Sequence, residues 1–316
     1  MHGLLFSSDF LREGIRETRG WLDAEQEFLT FRDAIGRIYA DVHDAGTWNE
    51  AQTEEDIIEP VLDALGWNDR SSQANASARG RHDVPDFLLF GSAQRKRLAR
   101  AERNDARRYR HGLAIVEAKR WNRALDRSEG SDPMDAGTPS SQMLRYLSRV
   151  EVASDTAVQW GILTNGRIWR LYWQKARSRS EEFLEFDLAA LAGVAGTTGQ
   201  LFAPSSADDV HFLRAFFLLF RRSAFLPQPG DEDGRSFHAI ALDDGRRWES
   251  KVSRDLGKRV FDELLAGTSP GAYPERPTTT SRSPRRYGPA RRSSPAPGSP
   301  SGPPGSPGPG AGSTRS

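Results

Sequence analysis

The chain has 316 residues, 44 Lys+Arg against 43 Asp+Glu, and no cysteine, which excludes a disulfide framework, cysteine-based zinc sites and thiol catalysis. The near-balance of charge conceals an asymmetry: the segment from Gly267 onward holds seven Arg, one acid and 12 of the 19 prolines, so it reads as a disordered tail too poor in apolar surface to offset its chain entropy. Residues 1–266 then carry a net charge of −5, which excludes a general polyanion binder and confines any nucleic-acid contact to local patches.

Taken in order, residues 8–44 predict helix, with Ser8 or Asp9 as a cap and Phe10, Leu11, Ile15, Trp21, Phe28, Phe31, Ile35, Ile38 and Tyr39 as the apolar positions. Thr53 is the expected N-cap of a helix carrying Ile57, Ile58, Val61, Leu62 and Leu65, stopped by Gly66, with a kink or break at Pro60. Residues 69–82 read as a loop. Phe87-Leu88-Leu89-Phe90 is a short buried strand after Pro85-Asp86. Gln94–Arg110 is a polar, basic insertion, helical or mobile, and Leu113–Lys119 is a second strand. A loop at Gly130–Gly137 leads to a helix begun by Thr138-Pro139. The Asn165-Gly166 pair turns a hairpin between strands 157–164 and 168–173. A short segment at Glu185–Leu191 precedes helices at Asp208–Arg221 and Trp248–Leu265. The longest apolar run, Phe212–Phe220, is interrupted by Arg214 and too short to span a membrane. With no signal pattern at the N-terminus, a cytoplasmic location is expected.

The chemistry concentrates in Pro85-Asp86 and, 31 residues after Asp86, Glu117-Ala118-Lys119. In an extended strand residues 117 and 119 share a face. If the Asp86 strand pairs alongside, two carboxylates and an ammonium converge, a donor set suited to Mg²⁺ and to phosphodiester chemistry. The plain alternative is a solvated strand face and a turn aspartate. Against it, both groups adjoin apolar runs, so they end buried strands.

These residues resemble the signature of PD-(D/E)XK nucleases of the restriction endonuclease type, as in the nuclease regions of type IIG restriction–modification enzymes and type I restriction subunits. Thr53–Trp67 resembles the helix that precedes the signature there, Gln142-Met143-Leu144-Arg145-Tyr146 resembles the Gln-xxx-Tyr motif that follows it, and Trp160–Trp169 resembles the later hairpin. The resemblance implies an α/β fold, a restriction-endonuclease-like mixed β-sheet core flanked by helices. It implies Asp86, Glu117 and Lys119 as catalytic residues, joined by Gln142 and by a helix glutamate, Glu54, with Glu50 and Glu55 as fallbacks. Asp86, Glu117 and Glu54 would be ligands of Mg²⁺. Residues 1–45 would be a helical N-terminal extension, 46–175 the nuclease core, 176–266 a mostly helical accessory region and 267–316 the tail.

The expected function is Mg²⁺-dependent cleavage of double-stranded DNA as part of a restriction–modification system. Compatible partners are a separate methyltransferase or specificity protein and a second copy of the chain. A non-catalytic DNA-binding or assembly module, or a truncated remnant of a type IIG enzyme, stands as the alternative. The sequence departs from those families in lacking a recognisable methyl-donor loop and a phosphate-binding Gly-x-x-x-x-Gly-Lys-Ser/Thr motif, so neither a methyl-donor site nor an ATP site is expected. The run Arg95, Lys96, Arg97, Arg100, Arg103, Arg107, Arg108, Arg110 reads either as a solvated insertion or as a phosphate-contacting flap beside the cleavage site, with Tyr146 as a further DNA contact. The six histidines show no ligand spacing; His82 and Asp83 could at most support Asp86. Trp160, Trp169 and Trp173 are read as packing residues.

Overall fold

The computed structural model describes residues 1–40, 42, 45–72, 84–128, 137–194 and 207–267. His43, His82, Asp83, the expected loop except for Gly137, and the expected tail except for Gly267 lie outside them.

The N-terminal stretch forms three helices. Ser7, rather than Ser8 or Asp9, caps α1 (Ser8–Arg12) by accepting from the Phe10 N–H, and Thr18 caps α2 (Arg19–Asp23) by accepting from Trp21. The long helix α3 (Glu25–Ala40) buries Phe28, Phe31, Ile35 and Tyr39 along one face. The next helix starts earlier than Thr53. Asn49 caps α4 (Glu50–Thr53) through a reciprocal pair of bonds with Gln52. The chain then widens into a π turn, Glu54–Ile58, whose closing bond runs from the Glu59 N–H to the Glu54 carbonyl, and narrows again into α5 (Glu59–Ala64). Pro60 has no N–H to give, and its ring would crowd the Asp56 carbonyl in a regular helix. Of the kink or break expected from the sequence, the wide turn is the milder distortion: it relieves that conflict and the helix continues. Gly66, at φ +81°, ends the element.

Six strands follow: β1 (Arg70–Ser72), within the stretch expected to be loop, β2 (Phe87–Phe90), β3 (Gly112–Ala118), β4 (Trp160–Thr164), β5 (Ile168–Trp173) and β6 (Phe183–Asp187). They lie side by side in chain order, and every neighbouring pair is antiparallel except β3 and β4. That parallel pair requires a crossover, supplied by the helix Pro139–Ala153. The basic insertion between β2 and β3 is helical, α6 (Ala93–Ala101) and α7 (Asp105–Arg108). The crossover helix is therefore α8, begun by a Thr138 capping box and Pro139 as the sequence predicts. Helices α9 (Leu188–Leu191), α10 (Ala207–Phe220) and α11 (Phe237–Gly267) complete the order.

Alternation along the strands gives two cores. Phe87, Leu89, Ala114, Val116 and Ile162 face α3, α5 and α10, where Phe31, Val61, Leu62, Phe216 and Phe220 are buried. Leu88, Phe90, Ile115 and Leu163 face α8, with Met143, Tyr146, Leu147 and Val150. Each such side chain contributes about 1.5–3 kcal/mol by leaving water. Residues 1–266 form a single compact unit, so the N-terminal helices and those after residue 176 share a core with 46–175. Trp169 is buried, and Trp160 stacks on Trp173 across the β4–β5 pair, as expected of packing residues. At the outer edge of β6 the N-terminal segment adds a short pairing: His2 exchanges two backbone bonds with Glu185, and the Leu5 N–H donates to Phe183.

Candidate active site

The antiparallel register of β2 and β3 pairs Phe87 with Val116, and one step further places Asp86 across from Glu117. Both then project, with Lys119, on the sheet face covered by α8. The Asp86 Oδ2 accepts the Ala118 N–H at 2.7 Å, which fixes its carboxylate at the strand end. The Lys119 Nζ donates to the Glu117 Oε1 at 2.5 Å. The Lys119 N–H continues the parallel ladder to the Thr164 carbonyl at 2.8 Å, so this end of β3 is held from both sides.

The helix glutamates approach from α4 and the π turn. One carboxylate oxygen each of Glu50, Glu54 and Asp86 lie within 4.8 Å of one another. Glu50, a fallback on sequence grounds, therefore joins the set, whereas Glu55 is exposed and outside it. Glu117 is not within that triad: its Oε1 is engaged by Lys119 and its Oε2 is buried without a hydrogen-bond partner. What holds the helix here is Thr53. Its buried hydroxyl donates to the Asn49 carbonyl and accepts the N–H of Trp121, two residues beyond Lys119. Gly166 at the β4–β5 turn lies close by; a Cβ there would stand 3.0 Å from the Thr53 methyl.

The electrostatics are those of acids crowded out of water. Burial, the Asp86 charge and more distantly Glu50 push Glu117 up to about 8, against the pull of Lys119. Glu54 is pushed up to about 7 by burial and by Asp86, Glu50 and Glu59. Burial also raises Asp86, although the Ala118 N–H and Lys119 oppose it. Burial alone would lower the Lys119 ammonium; Glu117, Glu50 and Asp86 outweigh it and hold the lysine above its ordinary value. Crowded together and shielded from water, these carboxylates resist being ionised all at once.

Gln142 and Tyr146 lie on one face of α8, as their spacing predicts, and the Gln142 amide donates to the Tyr146 hydroxyl at 2.6 Å. That bond points the glutamine at the tyrosine rather than at Lys119, and Tyr146 is buried in the core beneath α8, which does not present it as a DNA contact. The basic insertion is not beside the carboxylates. Asp86 precedes β2 and Glu117 ends β3, while α6 and α7 join the opposite ends of these two strands. Five steps along β3 separate Gly112 from Glu117, roughly 16 Å. Arg95, Lys96, Arg97, Arg107 and Arg108 therefore sit on a segment attached at the far end of the hairpin, which corrects the reading of a flap at the cleavage site.

Sequence reasoning missed a clamp behind the site. Arg170, inside β5, bonds both oxygens of Asp126 at 2.6 Å, pairs with Glu185, and lies over the Phe183 ring at 4.6 Å. Ser140 at the start of α8 bonds Asp126 and the Leu125 carbonyl, tying the segment after Lys119 to the helix that carries Gln142. The only signal was an arginine in the middle of the apolar strand Ile168–Trp173. Of the described histidines, His238 is fully buried, with burial holding it down at about 4, and its Nε2–H donates to the Leu219 carbonyl at 2.7 Å. Among the described residues no helix is long and apolar enough to cross a membrane. Comparison with protein-family models, curated proteins and solved structures gives no match.

Proposed function

We propose that the protein is a Mg²⁺-dependent DNA endonuclease with a restriction-endonuclease-like core, acting as the cleavage component of a restriction system. The observation that carries this reading is the convergence of Asp86, Glu117 and Lys119 at one end of the β2–β3 pair, with Glu54 and Glu50 facing them. The donor set fits a hard divalent ion: several carboxylate oxygens, one of them buried in Glu117 without a partner. Asp86 and Glu117 would hold the ion, with Glu54 and Glu50 completing its surroundings. Such an ion supplies acidification of a water and neutralisation of charge on the scissile phosphate. Lys119 is charged and anchored, so its remaining N–H groups can orient that water or donate to a non-bridging phosphate oxygen. The Ala118 N–H keeps Asp86 aimed along the strand end, and Thr53 keeps the glutamate helix against it.

The test is nicking of supercoiled plasmid with Mg²⁺ or Mn²⁺ by the parent, Glu117→Ala and Lys119→Ala proteins, with circular dichroism confirming the fold. Loss of cleavage by about 10³-fold in each variant is expected, in line with removing a group that stabilises a transition state. Cutting at the parental rate by either variant would remove the assignment. Salt-sensitive DNA binding by a parent that never nicks would favour the non-catalytic module.

A further inference from the structure

Elsewhere in the described chain the partly buried arginines are spent internally: Arg70, Arg167, Arg170, Arg214, Arg221 and Arg235 each pair with carboxylates. The β2–β3 insertion breaks that habit. Arg95, Arg97, Arg100, Arg103, Arg107 and Arg110 are exposed, and none forms an ion pair or side-chain hydrogen bond with another described residue. The two acids within the insertion have other partners: Asp105 pairs with Arg108, and Glu102 lies against the His111 ring. The segment is also firmly built. Ala99 and Tyr109 are buried in the core beneath α8, Ser92 caps α6 and Asn104 caps α7. A net-negative body thus carries one anchored, strongly cationic surface, and it lies at the end of the sheet remote from the carboxylates.

We infer that α6 and α7 form a second DNA-contact surface, which binds the duplex backbone away from the point of cleavage. The inference deepens the nuclease reading by separating grip from chemistry. The surface takes phosphates through the guanidinium groups of α6, α7 and the turn between them; these groups have no partner carboxylates to give up, and the release of counterions from the duplex favours binding. Backbone contacts of this kind fix orientation without reading sequence. The occupant is double-stranded DNA rather than a membrane, since Leu98 is the one large apolar side chain exposed on these two helices.

The experiment measures binding of a 30-base-pair duplex in EDTA, where no cleavage occurs, across a salt series. The full-length parent is compared with Arg95→Glu/Arg97→Glu/Arg100→Glu, and separately with Arg103→Glu/Arg107→Glu. All five side chains are exposed, and thermal melting checks that the fold is kept. Each lost phosphate contact should reduce the log–log salt slope by about 0.9, so the triple variant should lose about 2–3 units of slope and at least about tenfold in affinity at low salt. Parental affinity and slope in both variants overturns the inference, as does loss of binding to an acidic polypeptide with DNA binding intact. If the parent binds DNA through this surface yet never cleaves it, the nuclease reading fails and the surface stands. If the parent cleaves while the charge-reversed proteins bind as it does, only the surface fails.

Discussion

Glu117 shows how far one carboxylate can be pushed by its surroundings. Its pKa, about 8, exceeds the unfolded value, so the folded protein retains a proton that the unfolded chain has released between about pH 4.5 and 8. The sign follows directly: in the absence of metal, stability falls as pH rises through that window, by at most about 1.4 kcal/mol per pH unit for this group. Glu54, raised to about 7, adds in the same direction. Urea unfolding in EDTA from pH 5 to 9 should therefore show declining stability. Glu117→Gln should flatten the decline, and added Mg²⁺ should restore stability most at the alkaline end, because the ion competes with the proton. A stability that rises with pH in the metal-free parent would contradict this account. The convergence of Asp86, Glu117 and Lys119 was legible because strand alternation has a fixed period. The side-chain torsions were not: which glutamates share a triad depends on rotamers, and so the sequence could offer Glu50 only as a fallback beside Glu55.

The α4–α5 element presents a different lesson. A proline six residues after Glu54 reads as a defect, yet the π turn absorbs it and keeps Glu54 within reach of Asp86. Thr53, expected as a cap, instead sits inside the helix with its hydroxyl bridging Asn49 and Trp121. Thr53→Val keeps the shape and deletes the hydroxyl, leaving the part-buried Trp121 N–H without its acceptor. The expected cost is about 1–3 kcal/mol in chemical denaturation, together with a cleavage rate reduced more than DNA affinity, since the glutamate helix loses its tether. Equal stability and rate in the variant would show that the bridge is incidental. Capping was misread because Asn49 and Thr53 are both good caps, and local preference cannot rank them; the bond from a segment 68 residues away decides. By contrast, α8 was legible to the residue at its start, since Thr138-Pro139 combines two signals that agree locally.

Across the molecule, periodicity predicted most elements, while their assembly depended on long-range contacts the pattern does not encode. The N-terminal helices looked like an extension, yet Phe31 stacks on Phe217 in α10 with ring centres 4.9 Å apart, one layer of the main core. The basic insertion was recognised as such, but its location required knowing which ends of β2 and β3 it joins. The pairing of residues 2–5 with β6 left no sequence signal beyond Gly3. There φ is +110° and a Cβ would lie 1.9 Å from the Phe183 carbonyl oxygen, so only glycine allows the two backbones to meet.

That contact makes the first few residues a stopper for the sheet. Gly3→Val would dislodge them and leave the amides and carbonyls of β6 facing solvent, an invitation to strand addition between copies. Light scattering and sedimentation should then reveal concentration-dependent association in the variant and a dispersed parent; a dispersed variant would mean the outer strand is guarded by other means.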